Sequence, residues 1–227
     1  MKGVLVVDTA GPVIGVAYRN EHQKEYWSQR IVQGADGVLI PKMAEFARHY
    51  DIGWVGVSVG PGAFTGLRVG VASALGFAFA LGCPVIPLSS LQIRAGIVCH
   101  DKTLAILDAR KNRVYAQFFD SRTLVPKALG EAMDIDIHAI DYPISFHAVG
   151  EGVDRYRSEL EEQNAYIPLD ATRSPVLEAA EIAWELRDTA VAAEYVQLNY
   201  IRPPDAIVPK SVGTVIGTPA HKTQDQS

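Results

Sequence analysis

Two short stretches carry residue types that handle charged ligands. Asp8-Thr9 ends the apolar run Val4-Leu5-Val6-Val7, and Gly60-Pro61-Gly62-Ala63-Phe64-Thr65-Gly66 lies between a strand pattern and a helix pattern. A glycine-rich turn at a helix N-terminus offers backbone N–H groups and the positive end of the helix dipole, a combination that binds phosphate. Asp8, Thr9, Gly60, Gly62, Thr65 and Gly66 therefore form a candidate nucleotide or phosphate loop. No Lys followed by Ser or Thr completes a P-loop, however, and no glycine-rich hairpin follows Asp8. The expectation is ATP or ADP bound only weakly or at a shared interface, without turnover by the chain alone. The rival is a free-standing kinase-like ATPase whose activity would be abolished by Asp8→Ala.

Other chemistries find less support. His22, His49, His100, His138, His147 and His221 include no two that are four apart, so no helical pair can share a metal ion and no metal is expected. Ser89 and Ser90 lack a nucleophile elbow. Asp108 and Arg110 suit a salt-bridged hairpin turn, and Arg110, Lys111 and Arg113 make a small basic spot of the kind found on solvated turns. No catalytic residue is nominated.

The elements that position the glycine loop are a buried strand over Ile52 to Val59 and a helix over Gly66 to Leu81, with Thr65 as its expected N-cap. Gly66, Gly70, Ala74, Ala78 and Gly82 fall four apart and form a ridge of small side chains on one helix face. Glycine in a helix costs about 1 kcal/mol relative to Ala, so such a line implies an unusually close neighbour. The remaining positions are almost all apolar, with Arg68 the helix's one charge, so every face must be covered. A membrane span is excluded on length, because Pro84 and Pro87 cut the helical part short of the ~20 residues needed. The helix is either wholly in the core or half covered by a partner.

The rest of the chain reads as strands over Val4–Val7, Val13–Tyr18 and Lys24–Arg30, a helix over Asp36–Tyr50 that Pro41 should kink or start, and a strand over Val85–Leu88. The order is that of an α/β protein. Around Leu104 the pattern restarts: Leu104-Ala105-Ile106-Leu107-Asp108-Ala109 echoes the stretch ending at Asp8-Thr9, and Arg113–Phe119 follows as an alternating strand. Further elements are a strand over Ser145–Val149, a helix over Val153–Gln163 and a helix opened by Ser174-Pro175 and running to about Asp188. Residues 1–102 form one subdomain, 103–208 a smaller second one, and 209–227 a loosely ordered tail. Hydrophobic residues make up 48% of the chain and the net charge is −5, which argues against a protein that grips nucleic acid by itself. Cys83 and Cys99 read as buried free thiols of a reducing compartment, and the early Asp8 argues against a signal peptide, so a cytoplasmic location is expected.

The run Gly60-Pro61-Gly62-Ala63-Phe64-Thr65-Gly66-Leu67-Arg68-Val69-Gly70, followed by an Ala-rich helix and Pro87-Leu88-Ser89-Ser90-Leu91, resembles the TsaB (YeaZ) family. Val7-Asp8-Thr9, Asp108-Ala109-Arg110 with Val114-Tyr115, and Tyr200-Ile201-Arg202 agree with it, carrying the likeness to about Arg202. The resemblance implies two tandem RNase-H-like subdomains, the acetate-kinase, sugar-kinase, Hsp70 and actin (ASKHA) fold. It also implies a non-catalytic scaffold that partners TsaD, which transfers a threonylcarbamoyl group to the adenosine beside the anticodon, together with the ATPase TsaE. The chain would form a homodimer when alone and meet tRNA only through the complex. On this reading the two helices at Asp36–Tyr50 and Gly66–Leu81 build the partner interface, through Val38, Leu39, Met43, Leu67, Gly70, Val71, Ala74, Leu75 and Ala78. Family members often carry His-Ser near the start of the first helix. Here Gly34-Ala35-Asp36 stands there, with Asp36 as the expected cap.

Overall fold

The computed structural model describes residues 1–31 and 35–202. The expected tail over 209–227 and Gly34 lie outside the described residues; Asp36, the expected cap, lies inside the first helix, one residue after its start. The first lobe contains β1 (Gly3–Asp8), β2 (Val13–Arg19), β3 (Lys24–Arg30), α1 (Ala35–His49), β4 (Ile52–Gly60), α2 (Phe64–Leu81), β5 (Val85–Ser89) and α3 (Ser90–Ala95). Its five-stranded sheet runs β3-β2-β1-β4-β5. β1 to β3 are antiparallel neighbours, whereas β4 and β5 join in parallel. Strand β1 is buried along its whole length because side chains alternate between two covered faces. Leu5 and Val7 pack with Met43, Val71 and Ala74 on one side, while Val4 and Val6 pack with Val176, Ala179 and Ala183 on the other.

The second lobe contains β6 (Thr103–Asp108), β7 (Arg113–Asp120), β8 (Lys127–Ala128), β9 (Met133–Asp136), β10 (Phe146–Val149), α4 (Arg157–Glu162), β11 (Ala165–Tyr166) and α5 (Val176–Glu185). Its sheet runs β11-β10-β6-β7-β8, with β9 also on β7. Again an antiparallel hairpin is extended by parallel strands on its other flank. The two lobes are thus tandem RNase-H-like halves, and Asp8 and Asp108 end the equivalent strands β1 and β6. Each lobe lends its last helix to the other: α3 packs on β6 and β7, and α5 on β1 and β2. Between them Ala10, Leu67, Leu91 and Ala95 form one apolar cluster with Ala105, Leu107, Phe119 and Val149.

Several expectations are corrected at element ends. Helix α2 starts at Phe64, with Ala63 at the N-cap and no side-chain cap, so Thr65 lies inside the first turn. The short helix α3, capped by Ser89 Oγ accepting from Gln92 N at 3.3 Å, was hidden in the Ser89-Ser90-Leu91 run. The expected helix over Val153–Gln163 splits into a 3-10 turn at Glu151–Asp154 and α4. Ser174 does not cap α5; Pro175 takes the N-cap position and the helix ends at Glu185. Pro41 lies within α1, which runs through it. Cys83 is half-buried, and Cys99 is exposed rather than buried.

Candidate functional site: an interlobe cleft and an open helix face

The ridge of small residues on α2 is filled from within the chain. Leu67, Gly70, Val71, Ala74 and Ala78 are buried. A Cβ at Gly70 would run into Thr9 Oγ1, and one at Gly66 into the Thr9 carbonyl oxygen. The close neighbour is therefore the end of β1, which explains why glycine is used at both positions. The expected interface is corrected accordingly. Leu39, Met43, Leu67, Gly70, Val71, Ala74 and Ala78 belong to the core, and only Val38 and Leu75 are partly exposed. What α2 turns outward is a second line of small residues, Ala72, Gly76 and Ala80, also four apart and all exposed. Phe79, 87% exposed, and Leu81, 43% exposed, flank it, and Gly76 has nothing within 4 Å of where a Cβ would stand. Helix α1 packs beside α2 and exposes Ile40 and Pro41. The sequence held a signal for this face in Gly76, a helix-interior glycine that lies off the inner ridge. At 18 residues α2 is long and apolar enough to cross a membrane by length and composition, against the expected exclusion on length; its inner face is committed to the core of the first lobe.

The candidate phosphate residues surround a cleft of about 550 Å³ between the lobes, lined by Thr9, Gly11, Arg30, Thr65, Gly66 and, from the second lobe, Asp108, Arg110, Glu151 and Arg155 among others. Of these candidates Thr9, Thr65 and Gly66 line it, whereas Asp8, Gly60 and Gly62 do not. Gly60 adopts φ 122° and lies against the Asn199 carbonyl, 2.5 Å from where a Cβ would be. Gly62 packs on Ala10, whose carbonyl accepts from Ala63 N at 2.8 Å. These two glycines let the loop fit against its own chain.

Asp8 is buried and engaged. Its Oδ2 accepts from Arg94 Nη2 at 3.1 Å and its Oδ1 from Ala10 N at 3.2 Å. Arg94, 0% exposed, also donates to Glu151 through Nε at 2.5 Å and Nη2 at 2.7 Å, and to the Ser90 carbonyl through Nη1 at 2.9 Å. Burial pushes the Arg94 pKa down, but Asp8 and then Glu151 more than reverse this, so the guanidinium is held charged. Asp108 does not pair with the Arg110 side chain: its Oδ1 accepts from Arg110 N at 2.9 Å and its Oδ2 from Arg155 Nη1 at 3.2 Å. The turn takes Arg110, Lys111 and Asn112 through φ of 61°, 51° and 57°, each in the left-handed region.

The last described residues tie the lobes together from another side. Tyr200 packs on Phe64 with 5.2 Å between ring centroids and accepts from Arg68 Nε at 3.2 Å, while Arg202 grips Asp134 at 2.6 and 2.8 Å and reaches the Ala109 carbonyl at 3.2 Å. Burial alone would raise the Asp134 pKa, but Arg202 and then Arg113 bring it below the usual carboxylate range. His100 and His147, far apart in sequence, lie with ring centroids 3.9 Å apart and their planes tilted by 38°. Among the described residues no group of three or more His, Cys, Asp or Glu is placed to hold a metal ion.

The fold and the cleft define a two-lobed protein of the tandem RNase-H-like class. Residues 40–206 match the family model for TsaD, tRNA N6-adenosine threonylcarbamoyltransferase. An uncharacterised protein of Mycobacterium tuberculosis is 34% identical over 142 residues, 59% of this chain and 67% of that protein. A protein of Haemophilus influenzae described as tRNA threonylcarbamoyladenosine biosynthesis protein TsaB is 31% identical over 121 residues, 49% of this chain and 51% of that protein. Among solved structures, YeaZ from Pseudomonas aeruginosa superposes with a TM-score of 0.74 at 23% identity, over 88% of this chain and 100% of that one. The chain belongs to the TsaB (YeaZ) family.

Proposed function

We propose that this chain is a non-catalytic subunit of the machinery that makes threonylcarbamoyladenosine in tRNA, binding TsaD and acting with TsaE in the cytoplasm. The observation that carries this reading is the outer face of α2. A soluble domain rarely leaves a large aromatic and a line of small residues open on one helix unless another surface covers them. Ala72, Gly76 and Ala80 let a partner helix approach closely, and Phe79 and Leu81 supply apolar area at about 25 cal/mol per Å². When TsaD is absent, a second copy of the chain covers the same face. The cleft supports the non-catalytic part, because the Asp8 carboxylate that a metal-bound phosphate would need is already neutralised by Arg94. Nucleotide, where it binds at all, binds at the boundary with the partner.

Reconstitution tests this reading. The purified chain is mixed with TsaD, TsaE and the enzyme that supplies the threonylcarbamoyl donor, and transfer to tRNA is followed with each protein omitted in turn. Transfer that needs this chain, with no ATP hydrolysis by the chain alone, is the expected result. Full transfer without it, or ATP turnover by it alone that Asp8→Ala abolishes, would replace this reading with the kinase-like one.

A further inference from the structure

The ion cluster at the floor of the cleft joins three elements from both lobes: Asp8 at the end of β1, Arg94 on α3, and Glu151 in the turn after β10. We propose that Arg94 is a built-in cation that latches the two lobes together, holding the cleft closed at its floor without a ligand and withdrawing Asp8 from metal or phosphate. Three observations converge on this. First, the side chain is completely buried, so it is tolerable only because two carboxylates and a carbonyl receive its donors. Second, the bidentate contact of Nε and Nη2 with Glu151 fixes orientation as well as charge, so the second lobe is held in one register against the first. Third, the lobes meet so closely beside the cluster that a Cβ at Gly11, in the β1–β2 turn, would run into Glu151 Oε1. In effect the guanidinium stands where a cation bridging two facing carboxylates would stand. The latch is independent of whether α2 docks a partner.

Arg94→Ala and Glu151→Gln test it, by amide hydrogen exchange and thermal unfolding of the full chain. In Arg94→Ala, exchange in the β1–β2 turn and in the turn at Glu151–Asp154 should quicken by about tenfold or more while the central strands of both lobes stay slow. Millimolar free guanidinium should restore part of the lost melting temperature, and sodium chloride at the same ionic strength should not. Mn²⁺ should raise the melting temperature of this variant and leave the parent unchanged, since Asp8 and Glu151 are then free to share a cation. Glu151→Gln keeps the shape and one hydrogen bond, and decides the matter if Arg94→Ala does not fold; it should quicken the same two turns by a smaller factor. Unchanged exchange in both turns would overturn the proposal. So would a uniform rise across the whole chain in Glu151→Gln, because the cluster would then support the fold at large and not the contact between lobes.

Discussion

Helix α2 carries two lines of small residues with the same spacing and opposite fates. Gly66, Gly70, Ala74 and Ala78 face inward, where Thr9 at the end of β1 fills the space a Cβ would need. Ala72, Gly76 and Ala80 face outward, and the site above Gly76 is open. The pattern of small residues therefore reports close approach without saying by what. On the inside the neighbour is the chain's own sheet; on the outside no described residue stands within 4 Å of where a Cβ on Gly76 would be, and the proposed neighbour is a partner.

The comparison breaks most violently at Ala74. Ala74→Arg would bury an unpaired charge against β1, and a loss of about 4 kcal/mol or more is expected, enough to leave little folded protein by circular dichroism. Gly70→Ala is the milder version. Its new methyl group must displace Thr9, and overpacking of this kind costs about 1–3 kcal/mol, readable as a lower urea midpoint with unchanged slope. The outer line should behave differently: Gly76→Ala meets no neighbour and removes a helix-interior glycine, so a gain of about 1 kcal/mol is expected in the same titration. A smaller effect sharpens the picture in the second lobe. Burial, followed by the neighbouring His100, holds the His147 pKa below its ordinary value of 6.5. Its contribution is fully present above pH 6.5 and is lost as the pH falls through the lowered folded value, since the unfolded chain takes up the proton first. His147→Gln should flatten the stability profile in that window, and a profile of unchanged slope would show that His147 does not titrate there.

The fold was largely legible because its signals are local. The apolar run before Asp8 and its echo before Asp108 mark equivalent strands, and the unbroken apolar run of Val4 to Val7 reflects a strand covered on both faces. The α3 helix escaped notice because its short Ser-Leu-Gln-Ile-Arg-Ala run has no room for a helical period. The site was less legible, for a reason that α2 makes plain. A helix apolar all round has no polar face to mark its outside, so periodicity could not say which line of small residues meets the sheet. Arg94 was missed for a related reason. Its partners lie 86 and 57 residues away, and nothing near it in sequence marks it as the side chain that would neutralise Asp8. The adjacent rings of His100 and His147 likewise share no sequence spacing; the pairing of β10 with β6, which follows His100, brings them together.

The central claim is that the outward face of α2 binds a partner, and Phe79→Asp tests it most directly. The variant and the parent are each mixed with TsaD from the same organism and run by size exclusion with light scattering, with the affinity then measured by titration. Phe79 is exposed in the free chain, so the variant should fold and melt as the parent does. Because burying a Phe side chain contributes about 2 kcal/mol, the variant should bind at least about thirtyfold more weakly. A folded variant that forms the complex with unchanged affinity would show that this face is not where the partner docks.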